Sequence, residues 1–313
     1  LHVSGASSWG GNEQQLVDSI EDLKILGVKS EIFCFEDSLL EEYAKENNLP
    51  CISTPKKKSY AFSLVSLLKN KVKEREIDIV HIHTCGAVTT CVIADILFGL
   101  KVPIVFSKKG ISKVKKGLSA FKYNYKNIKK IVCVSEAVKE SFKLTIKPKN
   151  HHKLDVVYDG IKIKRAKNTT NVLLREDYKI KSDMFLVGNI ANHTAAKDLK
   201  TYVQTISYLV NVLELKNVFF VQIGVHSKYS EELFSLVEDY KLHDYVIFAG
   251  FLENAMDVLG QFDLYFMSSE REGLPITIYE AFYKKIPVIS TKAGGIPEAI
   301  RSEERRDCKK YRS

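Results

Sequence analysis

Short apolar runs alternate along most of this chain with longer segments whose apolar residues recur at three and four, the pattern of strands alternating with amphipathic helices in a parallel α/β protein. The runs predict strands at 1–4, 30–35, 78–83, 103–107, 130–134 and 155–157, then at 185–190, 218–223, 245–249, 264–267 and 287–290. Helical periodicity covers 13–26, 59–73, 87–97, 199–213 and 230–240. The alternation breaks at 160–181, where charged and polar residues dominate. Each half therefore reads as one doubly wound, Rossmann-like unit. A boundary near Lys167 separates 1–166 from 167–300, and 301–313 has no apolar periodicity. Such units bind ligands at the carboxyl ends of their strands, so the two are expected to face a cleft that holds the site.

Composition changes this picture little. With 313 residues, 45% hydrophobic and 27% charged, the chain can form two domains of about 150 residues each, and disorder over most of its length is excluded. The longest apolar stretch, 87–100, contains Asp95 and falls short of the roughly 20 residues a membrane-spanning helix needs. The first residue is Leu1, already within a strand, so the natural start is expected to be missing or trimmed; nothing resembles a signal peptide. Cys34, Cys51, Cys85, Cys91, Cys133 and Cys308 are scattered without metal-ligand spacing, which fits reduced thiols in a cytoplasmic protein.

Charge adds a candidate surface. The net charge is +9, and residues 101–153 hold fifteen lysines against only Glu136 and Glu140. Such a region suits anionic lipid, phosphorylated small molecules or nucleic acid, or is simply a solvated lysine-rich face.

The chemistry concentrates after the strand at 264–267, where the chain runs Ser268-Ser-Glu-Arg-Glu272-Gly273-Leu274-Pro275-Ile-Thr277-Ile-Tyr-Glu280. Gly273 permits close backbone approach and Pro275 suits a first helical position. The N–H groups of Leu274, Ile276 and Thr277 would then point from a helix start, where the dipole favours an anion or sugar oxygens. Glu280 falls about five residues into that helix, roughly 7 to 8 Å along its axis. Two carboxylates beside one anion site would meet hydroxyls rather than phosphate. On residue type alone, a loop acid and an exposed helical acid explain them better.

This block, with the following strand Pro287-Val288-Ile289 and Gly294-Gly295-Ile296-Pro297-Glu298, resembles the signature of glycosyltransferase family 4, retaining enzymes of the two-Rossmann-domain (GT-B) type that use nucleotide sugars. The resemblance runs along nearly the whole chain. Trp9-Gly10-Gly11-Asn12-Glu13 is similar to the family's glycine-rich turn, and Asp78-Ile-Val-His-Ile-His83 to its Asp-x-x-His-x-His strand. Val134-Ser135-Glu136 and Tyr158-Asp159-Gly160 look like its late turns. Val187-Gly188-Asn189-Ile190-Ala191-Asn192, with Lys197 following, resembles the loop that opens the second domain.

The resemblance implies a transferase that moves a sugar from a nucleotide-diphosphate donor to a glycan or lipid-linked acceptor with retention, in surface polysaccharide assembly. His83 and Glu272 would act at the reacting sugar. Gly10, Gly11 and Lys197 would meet the diphosphate, Glu280 the ribose, and Phe251, beside Gly250, the base. Gly273, Leu274, Pro275 and Thr277 complete the donor loop. Asn192 stands where an Arg is usual, so Lys197 would carry most of the diphosphate charge. No Asp-x-Asp occurs, and the resemblance implies that neither metal nor cofactor is needed, the nucleotide sugar being a substrate. Nucleic acid is not an expected partner; an anionic inner membrane face is, through residues 101–153.

Two departures stand out. Lys108-Lys109-Gly110 replaces the family's frequent His-Gly pair, and 301–313 replaces its closing helices, so a second domain truncated at its carboxyl end, with weakened stability, is expected. A catalytically silent nucleotide-sugar-binding protein and a sugar-nucleotide epimerase are the alternatives.

Overall fold

The computed structural model describes residues 1–163, 171–252 and 255–300. The chain divides into two compact units, Leu1–Asp159 and Gly160–Ser313. The boundary expected at Lys167 and the stretch 301–313 lie outside the described residues.

In the first unit the strands are β1 (His2–Val3), β2 (Ile32–Phe35), β3 (Cys51–Thr54), β4 (Val80–Ile82), β5 (Ile104–Lys108), β6 (Ile128–Cys133) and β7 (Leu154–Val156). All pair in parallel, in the order β3-β2-β1-β4-β5-β6-β7. The helices α1 (Gly11–Ile25), α2 (Leu39–Glu46), α3 (Phe62–Glu74), α4 (Cys85–Phe98) and α5 (Glu136–Lys143) connect them. Because helices cover a parallel sheet, its strands read as apolar runs rather than alternations: Ile32, Phe33 and Cys34 are all buried.

Among the described residues, the edge strand β3 is the one strand the periodicity misses. It is four residues long between Pro50 and Pro55, and only Ile52 and Thr54 are buried. The start of helix α2 is capped in a variant of the capping box in which the acid reaches one residue before the N-cap: Ser38 Oγ accepts from Glu41 N at 3.2 Å and Glu41 Oε2 accepts from Asp37 N at 2.9 Å.

The second unit is built the same way. Strands β8 (Phe185–Ile190), β9 (Val218–Ile223), β10 (Val246–Gly250), β11 (Leu264–Met267) and β12 (Val288–Ser290) form a parallel sheet in the order β10-β9-β8-β11-β12. Its main helices are α6 (Leu199–Ser207), α7 (Ser230–Asp239) and α8 (Ile276–Tyr283). The helix expected to run to residue 213 is α-helical only to Ser207 and continues as a π turn, Tyr208–Val212, which keeps Val210 fully buried. Leu199, Tyr202, Val203 and Ile206 pack with Val187 and Phe220 as the core of one face.

Both sheets reverse their winding beside the first strand, between β1 and β4 and between β8 and β11. Loops leaving the carboxyl ends of two such strands go to opposite faces and leave room for a ligand.

The β8 strand carries Gly188 for packing reasons: a Cβ there would lie 2.1 Å from the buried Phe262 ring. Gly188→Ala therefore forces the ring away, and a destabilisation of about 1–3 kcal/mol is expected from overpacking. In urea unfolding the midpoint should fall, and adding Phe262→Leu should recover part of the loss; strict additivity of the two changes would refute the contact as the cause.

Candidate functional site

In the second unit the carboxyl end of β11 leads through Ser268, Ser269 and Glu272 into α8. Ser268, Ser269, Glu272, Leu274 and Glu280 are all buried. Pro275 was expected at the first helical position but is the N-cap: its ψ of 111° is extended, and its carbonyl accepts from Ile278 N at 3.2 Å. The helix thus starts one residue later. In its first turn the N–H groups of Ile276 and Thr277 have no intrahelical acceptor, as in any helix start.

A second loop lies against the first. After β8 the chain passes Asn192, makes a 3-10 turn at Ala195–Lys197 and enters α6 at Asp198, whose φ is 44° and whose carboxylate accepts from Thr201 N and Thr201 Oγ1 at 3.3 and 2.7 Å. The Ala196 carbonyl accepts two bonds, from Glu270 N at 2.9 Å and Arg271 N at 3.1 Å. Ser268 Oγ lies 3.2 Å from the Lys197 carbonyl and 3.0 Å from that of Asp198.

This overlap brings together two residues 75 positions apart. Lys197 Nζ donates to Glu272 Oε1 at 2.6 Å, and Ser269 Oγ donates to the same oxygen at 2.6 Å. The lysine is about a quarter exposed and the carboxylate nearly buried, so the ion pair is charge-assisted and sheltered. Tyr265 is fully buried, with its hydroxyl 3.2 Å from the Ile190 carbonyl and bonded to the Thr277 side chain. Burial raises its pKa, with Glu272 and Glu280 adding to the rise. Glu272, Thr277 and Glu280 therefore lie around one buried tyrosine, and Lys197 joins them through Glu272.

Two other expected residues have settings of their own. Asn192 Oδ1 accepts from Val225 N at 2.9 Å, which ties its side chain to the loop after β9. Phe251, 54% exposed, follows Gly250 at the end of the edge strand β10. A buried network that residue patterns did not reveal supports the same loops. Gln222 Nε2 donates to the Ala191 carbonyl at 2.6 Å, and His193 lies 2.7 Å from both Gln222 Oε1 and Ser230 Oγ.

In the first unit Gly10, extended at φ −165°, caps α1, which begins at Gly11. Asn12 Nδ2 donates to the His83 carbonyl at 3.4 Å, so the glycine turn and the end of β4 share one place. His83 stands where it was expected, directly after β4, but its ring is only 7% exposed. It lies 4.2 Å from the His81 ring and 5.3 Å from the His2 ring, centroid to centroid. His2 Nδ1 is 3.1 Å from His83 Nε2, His2 Nε2 is 3.3 Å from Ser30 Oγ, and His81 Nε2 is 2.8 Å from Ser107 Oγ. His83 Nδ1 is buried with no hydrogen-bond partner. The signal for His2 was a lone polar residue in the first strand, in register with His81.

The lysine-rich segment is only partly a surface. Lys113, Lys115, Lys116, Lys126, Lys129 and Lys130 are exposed. Lys108 and Lys153 are buried: Lys108 Nζ donates to the Gly110 carbonyl and lies over Phe142, and Lys153 Nζ donates to the Tyr125 carbonyl at 3.2 Å. Lys109 forms an ion pair with Asp159. The pair Lys108-Lys109 is thus structural where a His-Gly pair was the comparison.

Burial holds the three imidazoles neutral: it lowers His2 to about 3 and His81 to about 4, and puts His83 well below its usual range. At neutral pH His83 is then a polar, uncharged hydrogen-bonding group. The unfolded chain takes up these protons below about pH 6.5 while the folded unit does not, so stability falls with pH from there to about pH 4. The slope is about 1.4 kcal/mol per pH unit for each histidine. Denaturant melts across that window should flatten in His81→Gln; an unchanged slope would refute the assignment.

Residues 9–165 match the model of Glycosyltransferase Family 4 and residues 173–310 that of Glycosyl transferases group 1. The chain is 23% identical over 247 residues to N-acetyl-alpha-D-glucosaminyl L-malate synthase of Bacillus anthracis, covering 77% of this chain and 63% of that protein. It is 27% identical over 139 residues to the O-antigen biosynthesis glycosyltransferase WclY of Escherichia coli, covering 44% and 37%. It thus spans less than two thirds of the length of these curated relatives. Among solved structures, Anabaena Alr3699/HepE in complex with UDP-glucose superposes with a TM-score of 0.80 at 18% identity, over 95% of this chain and 81% of that one. A glycosyltransferase from Rickettsia africae gives 0.77 at 20%, over 96% and 81%. These likenesses show the fold, two parallel-sheet Rossmann-like units of the GT-B type. With a family model matched across half its length and the expected motifs in register, the chain belongs to glycosyltransferase family 4.

Proposed function

We propose that this protein transfers a hexose-type sugar from a nucleotide-diphosphate donor, with retention, to a glycan or lipid-linked acceptor in surface polysaccharide assembly. The observation that carries the reading is the Lys197–Glu272 pair, held beside the start of α8 with Ser269 on the same carboxylate oxygen. Without donor, each charge neutralises the other. A bound diphosphate offers Lys197 a stronger partner, and its departure frees Glu272 to accept sugar hydroxyls.

The roles then follow from chemistry. As the glycosidic bond breaks, negative charge grows on the leaving diphosphate, and Lys197 with the Ile276 and Thr277 N–H groups stabilises it electrostatically, without a metal. Glu280, buried on α8, takes ribose hydroxyls. In the first unit, the Gly10-Gly11 turn and neutral His83, which share one place at the end of β4, are the groups assigned to substrate. The complex of Alr3699/HepE with UDP-glucose makes UDP-glucose the first donor to test, and the O-antigen name of WclY supports an envelope glycan as acceptor.

A catalytically silent sugar-nucleotide binder is the second reading, favoured by Asn192, whose amide oxygen is tied to Val225 in place of an arginine fork. Turnover by the wild type decides between them. Lys197→Ala should lower kcat about 100-fold to 1,000-fold and weaken binding of the bare nucleoside diphosphate, read by thermal shift. Glu272→Gln should leave diphosphate binding nearly intact but abolish the extra affinity for the nucleotide sugar; equal losses for both ligands would sink its assignment to the sugar.

The exposed lysines of 101–153 support a further part of the proposal, contact with an anionic membrane surface at the cytoplasmic side. No helix among the described residues is long and apolar enough to cross a membrane. Sedimentation with vesicles rich in anionic lipid is expected at low salt and should be lost as ionic strength rises; indifference to lipid charge would refute it.

A further inference from the structure

We infer that the loop leading into α3, together with the end of α4, forms an aromatic anchor that enters the headgroup layer of an anionic lipid bilayer. The inference rests on the membrane contact proposed above and gives it an apolar component, carried largely by residues outside 101–153. Tyr60 and Phe62 are 62% and 68% exposed, and Leu97 and Phe98 at the end of α4 are exposed as well. The Phe62 and Phe98 rings meet edge to face, 6.0 Å apart between centroids. Contiguous exposed apolar side chains of this kind mark a docking surface.

Charge selects the partner. Residues 47–73 contain six lysines, no arginine and no acidic residue. Lys58 Nζ lies 5.9 Å from the centre of the Tyr60 ring and Lys69 Nζ 5.7 Å from that of Phe98, so ammonium groups stand over the exposed rings. Lys57 Nζ donates to Ser63 Oγ at 3.0 Å and Lys69 Nζ to Asn70 Oδ1 at 3.3 Å; among the described residues none of these three lysines is in an ion pair. The acids next in the chain are engaged elsewhere: Glu74 pairs with Lys71, and Asp95 accepts from Leu100 N and Tyr125 Oη. Glu36 and Asp37 share a hollow with Lys56 and offset that lysine. Protein interfaces favour arginine and are poor in lysine. Lysines beside aromatic rings fit a bilayer instead: the rings enter the boundary of headgroups and acyl chains, while the flexible stems carry ammonium groups out to the phosphates.

The backbone holds the patch ready. Ala61 N donates to the Lys58 carbonyl at 2.8 Å, and Thr90 Oγ1 on α4 donates to the Ser59 carbonyl at 2.7 Å. A loop fixed before binding loses less freedom on contact. On the adjacent residue of α4, Thr89 Oγ1 accepts from Lys122 Nζ at 2.8 Å. The loop and the lysine-rich segment therefore border the same turn of α4, and the anchor adjoins the basic surface already proposed to meet the membrane.

The test uses the full chain and sucrose-loaded vesicles of phosphatidylcholine, alone or mixed with phosphatidylglycerol. The wild type should sediment with the mixed vesicles. A lysine near an anionic surface strengthens binding roughly fivefold, so the triple variant Lys57→Gln, Lys58→Gln, Lys69→Gln should bind about 100-fold more weakly. Phe62→Ser should weaken binding about 10-fold with the melting temperature unchanged, because the ring is exposed. In Phe62→Trp, emission above the Trp9 background should shift to the blue on binding and be quenched by brominated acyl chains. Vesicle binding without shift or quenching overturns the anchor and leaves a purely electrostatic contact. Complete loss of binding in Lys113→Gln, Lys115→Gln, Lys116→Gln, with the first triple variant unchanged, overturns it too while the contact through 101–153 stands. No vesicle binding by the wild type overturns both readings and leaves the patch to a protein partner. If Phe62→Ser does not fold, the tryptophan variant decides.

Discussion

One carbonyl organises the second unit. Ala196 accepts the N–H groups of both Glu270 and Arg271, and through that acceptor the loop after β11 is laid onto the loop after β8. Parallel strands release their chains at a common edge, where backbone groups that the sheet no longer satisfies must find other partners. Here they find each other. Ser268 completes the lap, and only then does Lys197 fall within reach of Glu272. Without it the lysine would be a solvated side chain at a helix entry, and the glutamate a buried charge with a serine for company.

That lap explains what the amino-acid pattern revealed and what it hid. The long apolar strands such as Val218–Ile223 were legible because burial on both faces of a parallel sheet removes polar alternation. Glu272 and Glu280 were legible as a pair because nine residues of one loop and helix carry both. Lys197 was legible through the resemblance of its loop, but its pairing with Glu272 was not: the two are 75 positions apart, and nothing local states that two loops from neighbouring strands will overlap. Pro275 was misplaced by one residue because a proline fits an N-cap as readily as the first turn. Strand β3 was hidden by its flanking prolines and half-polar residues. His83 was found by register, but its burial beside His2 depends on the pairing of β1 with β4, a tertiary fact.

Both clusters keep charge out of the interior by different means. In the second unit a cation and a carboxylate cancel, and the shared oxygen Glu272 Oε1 keeps that pair narrow in geometry. In the first unit three imidazoles remain neutral because desolvation makes protonation costly. The difference suits different partners. An ion pair is poised to exchange one charged partner for another, whereas stacked neutral rings present lone pairs and hydrogen-bond donors without attracting anions.

The residues of the Lys197–Glu272 cluster, from Lys197 to Glu280, all come from one contiguous stretch within a single unit. Its geometry is therefore inherited as a block. A change confined to the amino-terminal unit leaves every hydrogen bond of the cluster intact.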